Sequence, residues 1–266
     1  MIRQPVVAGQ FYSGSPDSLK REIENFTPKP RKKIDAKGVV SPHAGYLYSG
    51  TVAGEVLSAV FPKPTYVILG PNHTGLGKAF GMDLERSWKT PLGEARTDRD
   101  LGNAILEESK YVEIDSACHD REHSIEVQLP FLQHLGKFRF VPIVVSLANG
   151  EIYREIGRGI ARAIQKTKKE TLIVASSDMT HYETQDSAKK KDRLAIDKIL
   201  KLDIAGLLET VSQNGISMCG LAPVAIMLEA ALELGAKGAK LIKYATSGDV
   251  SGDYSAVVGY AGIGVY

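Results

Sequence analysis

Short, continuous apolar runs recur along this chain, and nearly every one is followed by a stretch with apolar residues at helical spacing. Residues 37–41, 65–69, 138–146 (FRFVPIVVS) and 171–175 read as strands. Residues 50–61, 151–166, 189–208 (one or two helices) and 223–234 read as helices. Pro223 falls near the first turn of the last helix, where proline is tolerated. Residues 240–246 and 255–266 close the chain as strands. A strand that is apolar throughout, rather than in alternation, has to be covered on both faces, and one reached through a helix runs parallel to its predecessor. The expected fold class is therefore α/β, a three-layer α/β/α sandwich with a mainly parallel central sheet, in a single domain over residues 1–266. Residues 87–96, containing WKTPLGEAR, read as a hairpin or irregular insert.

Charge excludes some partners. With 33 basic and 31 acidic residues the net charge is only +2, so no long-range field for nucleic acid or an anionic membrane is implied. The basic stretches at residues 29–33 and 189–191 sit in polar surroundings and read as solvated loop or helix face. No apolar run approaches the roughly 20 residues of a membrane span. The first residues, MIRQPVVAGQFYSG, lack the apolar core of a secretory signal. Two cysteines, Cys118 and Cys219, make no disulfide framework, and a reducing cytoplasm is the expected location.

Four of the six histidines, His43, His73, His123 and His181, lie in segments crowded with Gly, Pro, Ser or Asp. His43 and His73 each follow a buried strand, in SPHAG and GPNHTG. Open α/β sheets bind ligands at the carboxyl ends of their strands, and imidazole is the commonest metal ligand. If the two strands are adjacent and parallel, their ends lie within metal-bridging distance. Asp178 and His181 end the strand at 171–175 in SSDMTHY, where Asp178 either caps a helix or pairs with His181 to set its tautomer.

Several other patterns compete. GPNHTGLGK fails as a phosphate loop, because Asn72 stands where the first glycine belongs and Ala79 follows Lys78. His119-Asp-Arg-Glu-His123 matches the inverted zincin pattern, which on a helix gives two ligands on one face and Glu122 as base. The preceding VEIDSACHD reads as strand and loop, so a zinc hydrolase ranks as a minor alternative. His123 is then a polar contact inside the site, with Glu126 and Gln128 on a helix surface or behind it. Ser177, Asp178 and His181 lack the G-x-S-x-G elbow, and triad members come from separate segments. Cys219 precedes a helix start, where the helix dipole lowers a thiol pKa. It reads equally as nucleophile or metal ligand and as a small buried apolar residue, whereas Cys118 reads as structural. Two imidazoles and a thiolate form a borderline-soft set for iron, copper or zinc.

Taken together, PVVAGQFY, SPHAGYLYSG, GPNHTG, TPLGEARTD, DREHSIEVQLPFLQ, SSDMTHY, MCGLAP and TSGDVSGDYSAVVGYAG resemble the Memo family, in its prokaryotic branch, almost end to end. The family is similar to class III extradiol dioxygenases, non-haem iron enzymes with an α/β/α sandwich. The resemblance implies His43, His73 and Cys219 as metal ligands, with Asp178, His181 and His123 lining the same pocket as catalytic or contact residues. It further implies an AMMECR-type protein and a radical-SAM protein as partners, with the small-molecule or peptide ligand open. The dioxygenases use two histidines and a carboxylate at iron. Cys219 stands where that carboxylate would be, which shifts the metal preference and adds a group that dioxygen oxidises. The expected function is a metal-dependent oxidoreductase using iron or copper, against a non-catalytic metal- or peptide-binding scaffold.

Overall fold

The apolar runs become the centre of one sheet. In the computed structural model, which describes residues 1–28 and 32–266, the first third of the chain forms β1 (Ile2–Arg3), α1 (Pro16–Phe26), β2 (Gly38–Ser41), α2 (Tyr46–Ala59) and β3 (Thr65–Pro71). The middle forms β4 (Phe80–Met82), β5 (Ser87–Thr90), β6 (Gly93–Thr97), α3 (Arg99–Glu108), β7 (Glu113–Ile114), α4 (Leu129–Leu135), β8 (Arg139–Val145) and α5 (Gly150–Thr167). The last third forms β9 (Thr171–Ser176), β10 (His181–Glu183), α6 (Gln185–Leu200), α7 (Ile204–Gln213), α8 (Leu221–Glu233), β11 (Ala239–Thr246), α9 (Gly248–Ser251) and β12 (Val257–Val265). Lys29, Pro30 and Arg31 of the basic stretch lie outside the described residues.

The strands order as β1-β5-β6-β8-β3-β9-β2-β12-β10, with β11 on β12 and β4 on β8. From β6 to β2 every pair is parallel, and β12 closes that block antiparallel to β2. Alternate strand residues feed two cores, as the period of two requires. Val40, Val67, Leu69, Val141, Ile143 and Ile173 face α3, α5, α6, α7 and α8. Val39, Tyr66, Ile68, Phe140, Val144 and Leu172 face α1, α2 and α4. This is the expected α/β/α arrangement. Asn149 starts α5 by accepting a hydrogen bond from Ile152 N at 3.0 Å, and Tyr153, Ile156, Ile160 and Ile164 bury one stripe of it.

Two local expectations change, and two left open are resolved. The helix expected at 50–61 begins four residues earlier, at Tyr46, because Tyr46 N donates to Phe11 O and Ser49 Oγ to Ala44 O across its first turn. Residues 189–208 form two helices, α6 and α7, broken where Leu202 adopts φ 55° and Asp203 caps the second by accepting from Gly206 N at 2.9 Å. The strands carrying His43 and His73 are not neighbours, since β9 lies between them. Residues 87–96 are the hairpin β5–β6, and its second strand joins β8.

Candidate metal centre

Three parallel strands, β3, β9 and β2, end side by side, and each delivers a candidate site residue: His73 two residues past Pro71, Asp178 two past Ser176, His43 two past Ser41. His123 reaches the same edge from the non-helical segment before α4. Ring nitrogens of His43, His73 and His123 all lie within 4.8 Å of one another. His73 and His123 stack with centroids 4.9 Å apart, and His43 meets both edge-on at 5.1 and 5.6 Å. Cys219 Sγ reaches this group at His43 Nε2, 3.2 Å away.

Hydrogen-bond bookkeeping fixes the tautomers. Ser176 Oγ gives its single proton to Ser124 O at 2.7 Å and accepts from Gln128 Nε2 at 2.9 Å. His43 Nδ1, 2.9 Å from the same oxygen, must therefore be the donor, which leaves the His43 Nε2 lone pair directed at Cys219. His73 Nδ1 donates to Glu122 Oε1 at 3.0 Å, which likewise frees its Nε2. His181 Nδ1 donates to Ser217 O at 2.9 Å. Facing a lone pair on His43, the Cys219 thiol donates its proton to it, while Asp178 N donates to the sulfur at 3.3 Å.

Electrostatics follow from burial. His43, 2 % exposed, is held well below the usual imidazole pKa by burial and by the neighbouring histidines. Burial also lowers His123, more than Glu122 raises it. For His73 burial works downward too, but the hydrogen bond and charge of Glu122 outweigh it and raise the pKa. Burial pushes Asp178 up to about 6, although His43 N donates to it at 2.8 Å. The thiol of Cys219 is raised by burial and by Asp178. The lowering expected from the start of α8 is overridden, because desolvation of a thiolate costs more than a helix end returns.

Glu122 had a role in the sequence reading only if H-x-x-E-H lay on a helix. His119–His123 is not on a helix: a 3-10 turn ends at His119 and the chain then runs irregularly. His119 is buried elsewhere, donating to Gly81 O at 3.1 Å with its ring 5.3 Å from that of Trp88. Glu122, fully buried, accepts from His73 N at 2.7 Å, His123 N at 3.0 Å and Ser124 N at 2.8 Å besides His73 Nδ1. Those donors, led by His73 once the opposing burial is met, hold its carboxyl at about 2. It holds His73 by ring and backbone and His123 by its backbone. Glu126 and Gln128, expected on a helix surface or behind the site, are also fully buried. Gln128 bonds Ser41 Oγ, Pro42 O and Ser176 Oγ, and Glu126 pairs with Arg3 at 2.7 Å. The pairing considered for Asp178 and His181 gives way to separate bonds, Asp178 to His43 N and His181 to Ser217. Ser177 is committed to Asp178 O and Gly220 N, so it is no nucleophile.

Two glycines let these segments close in. A Cβ at Gly70 would overlap Ser124 Oγ and lie 2.7 Å from Ile125 Cγ1, and one at Gly220 would overlap Ser177.

Comparison with known proteins adds the following. The profile of the Memo-like protein family matches residues 3–264. A MEMO1 family protein of Methanopyrus kandleri is 44% identical over 278 residues, covering 99% of this chain and 98% of its own. One from Pyrobaculum aerophilum is 43% identical over 278 residues, covering 100% and 99%. Among solved structures, an uncharacterized protein from Escherichia coli K12 is similar with a TM-score of 0.58 at 12% identity, over 85% of this chain and 98% of that one. That likeness concerns the fold. Among the described residues no helix is long and apolar enough to cross a membrane.

Proposed function

The chain belongs to the Memo-like protein family, and from that premise we propose that it is a metal-dependent oxidoreductase whose iron or copper is held by His43, His73 and Cys219, with His123 as a further donor. The carrying observation is the group of three imidazoles within 4.8 Å of one another, with a thiol 3.2 Å from one of them. Nitrogen and sulfur donors of this kind suit copper, iron and zinc and disfavour magnesium or calcium. Iron or copper held there supplies a redox centre.

The chain's own residues prepare the donors. Ser176 and Glu122 each hold an imidazole by Nδ1, the arrangement that keeps a ligating histidine in one tautomer and raises its basicity. Cys219 must surrender the proton it shares with His43 before it can ligate, so metal uptake releases a proton. His181, fixed by Ser217, presents Nε2 as an acid–base group. Asp178 shapes the site through the backbone of His43 and the sulfur of Cys219.

Metal content after anaerobic purification, with titration of Fe(II), Cu(I) and Zn(II), tests the reading. Saturable binding lost in His43→Ala, with a thiolate charge-transfer band lost in Cys219→Ser, supports it; no saturable binding of any of the three overturns it. Oxygen consumption across a catechol and thiol panel tests the redox step, and its absence leaves a metal-binding scaffold. The three imidazoles also favour a second reading, a zinc hydrolase with an open fourth position. Under that reading Cys219→Ser retains both the zinc and its hydrolytic activity.

A further inference from the structure

The edge of the sheet opposite the histidines carries a cavity of about 670 Å³. It lies where the segment entering β2, the start of β11 and the end of β12 converge, so the four residues of β2 separate it from the His43 loop. Its walls divide by chemistry. Ile34, Ala59, Ile242 and Tyr266 form an apolar surface, and Lys32, Lys33 and Lys240 stand around it. The apolar wall is built by a defect in β11: Leu241 pairs with Ile263 and Lys243 with Gly262, so Ile242 is the extra residue of a bulge. Bulges of this kind re-aim a side chain at a sheet edge.

The lysines around the cavity are uncompensated. Neighbouring Lys63 and Lys243 pair with Asp35 and Glu55 at 2.7 and 2.9 Å, whereas no ion pair engages Lys32, Lys33 or Lys240 among the described residues. Asp35, the one acidic side chain lining the cavity among the described residues, is already committed to Lys63. Ammonium groups clustered over apolar surface repel one another and leave that surface wet, and one ligand relieves both penalties if it carries an anionic head on an apolar body. The cavity falls in the range of roughly 300–1,000 Å³ that small-molecule sites occupy.

We propose that this cavity binds a small amphiphilic anion, with its carboxylate or sulfonate head on Lys32, Lys33 and Lys240 and its apolar body against Ile34, Ile242 and Tyr266. The site is independent of the metal centre and of any chemistry there.

Titration with 8-anilinonaphthalene-1-sulfonate, followed by fluorescence, tests it against the neutral analogue N-phenyl-1-naphthylamine. The expected result is saturable binding of about one sulfonate per chain, displaced by decanoate, and about tenfold tighter than the neutral probe. Lys240→Glu and Lys32→Glu, both at exposed residues, should each weaken it about tenfold with an unchanged thermal midpoint. Ile242→Ala should weaken both probes. Equal affinity for the two probes, indifference to the lysine variants, or adsorption to phosphatidylglycerol vesicles without binding of either free anion overturns the proposal.

Discussion

Replacing Glu122 by glutamine changes one atom at a position where every neighbour is a donor. Oε1 takes His73 Nδ1–H, His123 N–H and Ser124 N–H, and Oε2 takes His73 N–H, all between 2.7 and 3.0 Å. A carboxamide has one oxygen. Whichever way it turns, its NH2 group confronts an N–H in a fully buried place, and a buried donor left unsatisfied costs about 1–3 kcal/mol. The surviving bond to His73 also loses its charge assistance, about half its strength. The rings of His73 and His123 are then free to drift from their stack, and losing such a partner to a ligating histidine weakens metal binding about 10- to 100-fold. That range corresponds to about 1.4–2.7 kcal/mol. Competition against a chromogenic chelator measures the affinity, and the thermal midpoint establishes that Glu122→Gln is folded. A folded Glu122→Gln binding within about twofold of the unsubstituted chain, while His73→Ala loses the metal, would refute the positioning role.

Other perturbations test the frame around the site. Burial holds His119 at about 4, so between 4 and 6.5 the unfolded chain takes a proton that the folded one refuses. Its pKa is lowered in the folded state, so stability falls as pH drops through this window, by about 2 kcal/mol from pH 7 to 4.5. Urea unfolding of His119→Gln at the two pH values should show that share missing; an identical pH dependence contradicts it. Arg3→Met strips Glu126 of its 2.7 Å ion-pair partner, where both side chains are at most 2 % exposed, and should cost about 3–5 kcal/mol in urea midpoint analysis. A loss of about 1 kcal/mol or less, the range of a surface pair, would mean that solvent reaches Glu126. Gly70→Ala should displace Ser124 and with it Glu122 and His123, lowering metal affinity more than stability. Equal loss of both, read from chelator competition and thermal unfolding, would place the damage in the core instead.

The core was legible because parallel strands buried on both faces admit only apolar residues, and 65–69 and 171–175 are such runs. The punctuated histidines were legible for a related reason: Pro and Gly mark where a buried strand must stop and turn. What linear order hides is which strands are neighbours. His43 and His73 come together although β9 intervenes: Ser176 at the end of β9 and Asp178 just past it bond His43, while Ser124, whose carbonyl accepts from Ser176, donates to Pro71 O ahead of His73.

The irregular segment before α4 was read correctly as non-helical, but the role of its carboxylate was not legible. H-x-x-E-H invites a helix, yet a helix there would leave the carboxylate of Glu122 on a face with no donors. As irregular chain, the segment turns the N–H groups of His123 and Ser124 toward that carboxylate and presents it to the N–H and imidazole of His73. A signal for this was present just downstream: Glu126 and Gln128 interrupt an otherwise apolar stretch, residues 125–132, that cannot be solvent-facing. Polar groups forced inside must be met by donors or acceptors from elsewhere in the fold. Glu126 is met by Arg3, Val6, Val7 and Tyr12, and Gln128 by Ser41, Pro42 and Ser176. Residues 122–128 thus tie the N-terminal residues and the strand ends to the back of the histidine cluster. The precision of the candidate centre resides there, one layer behind the residues that a motif search would find.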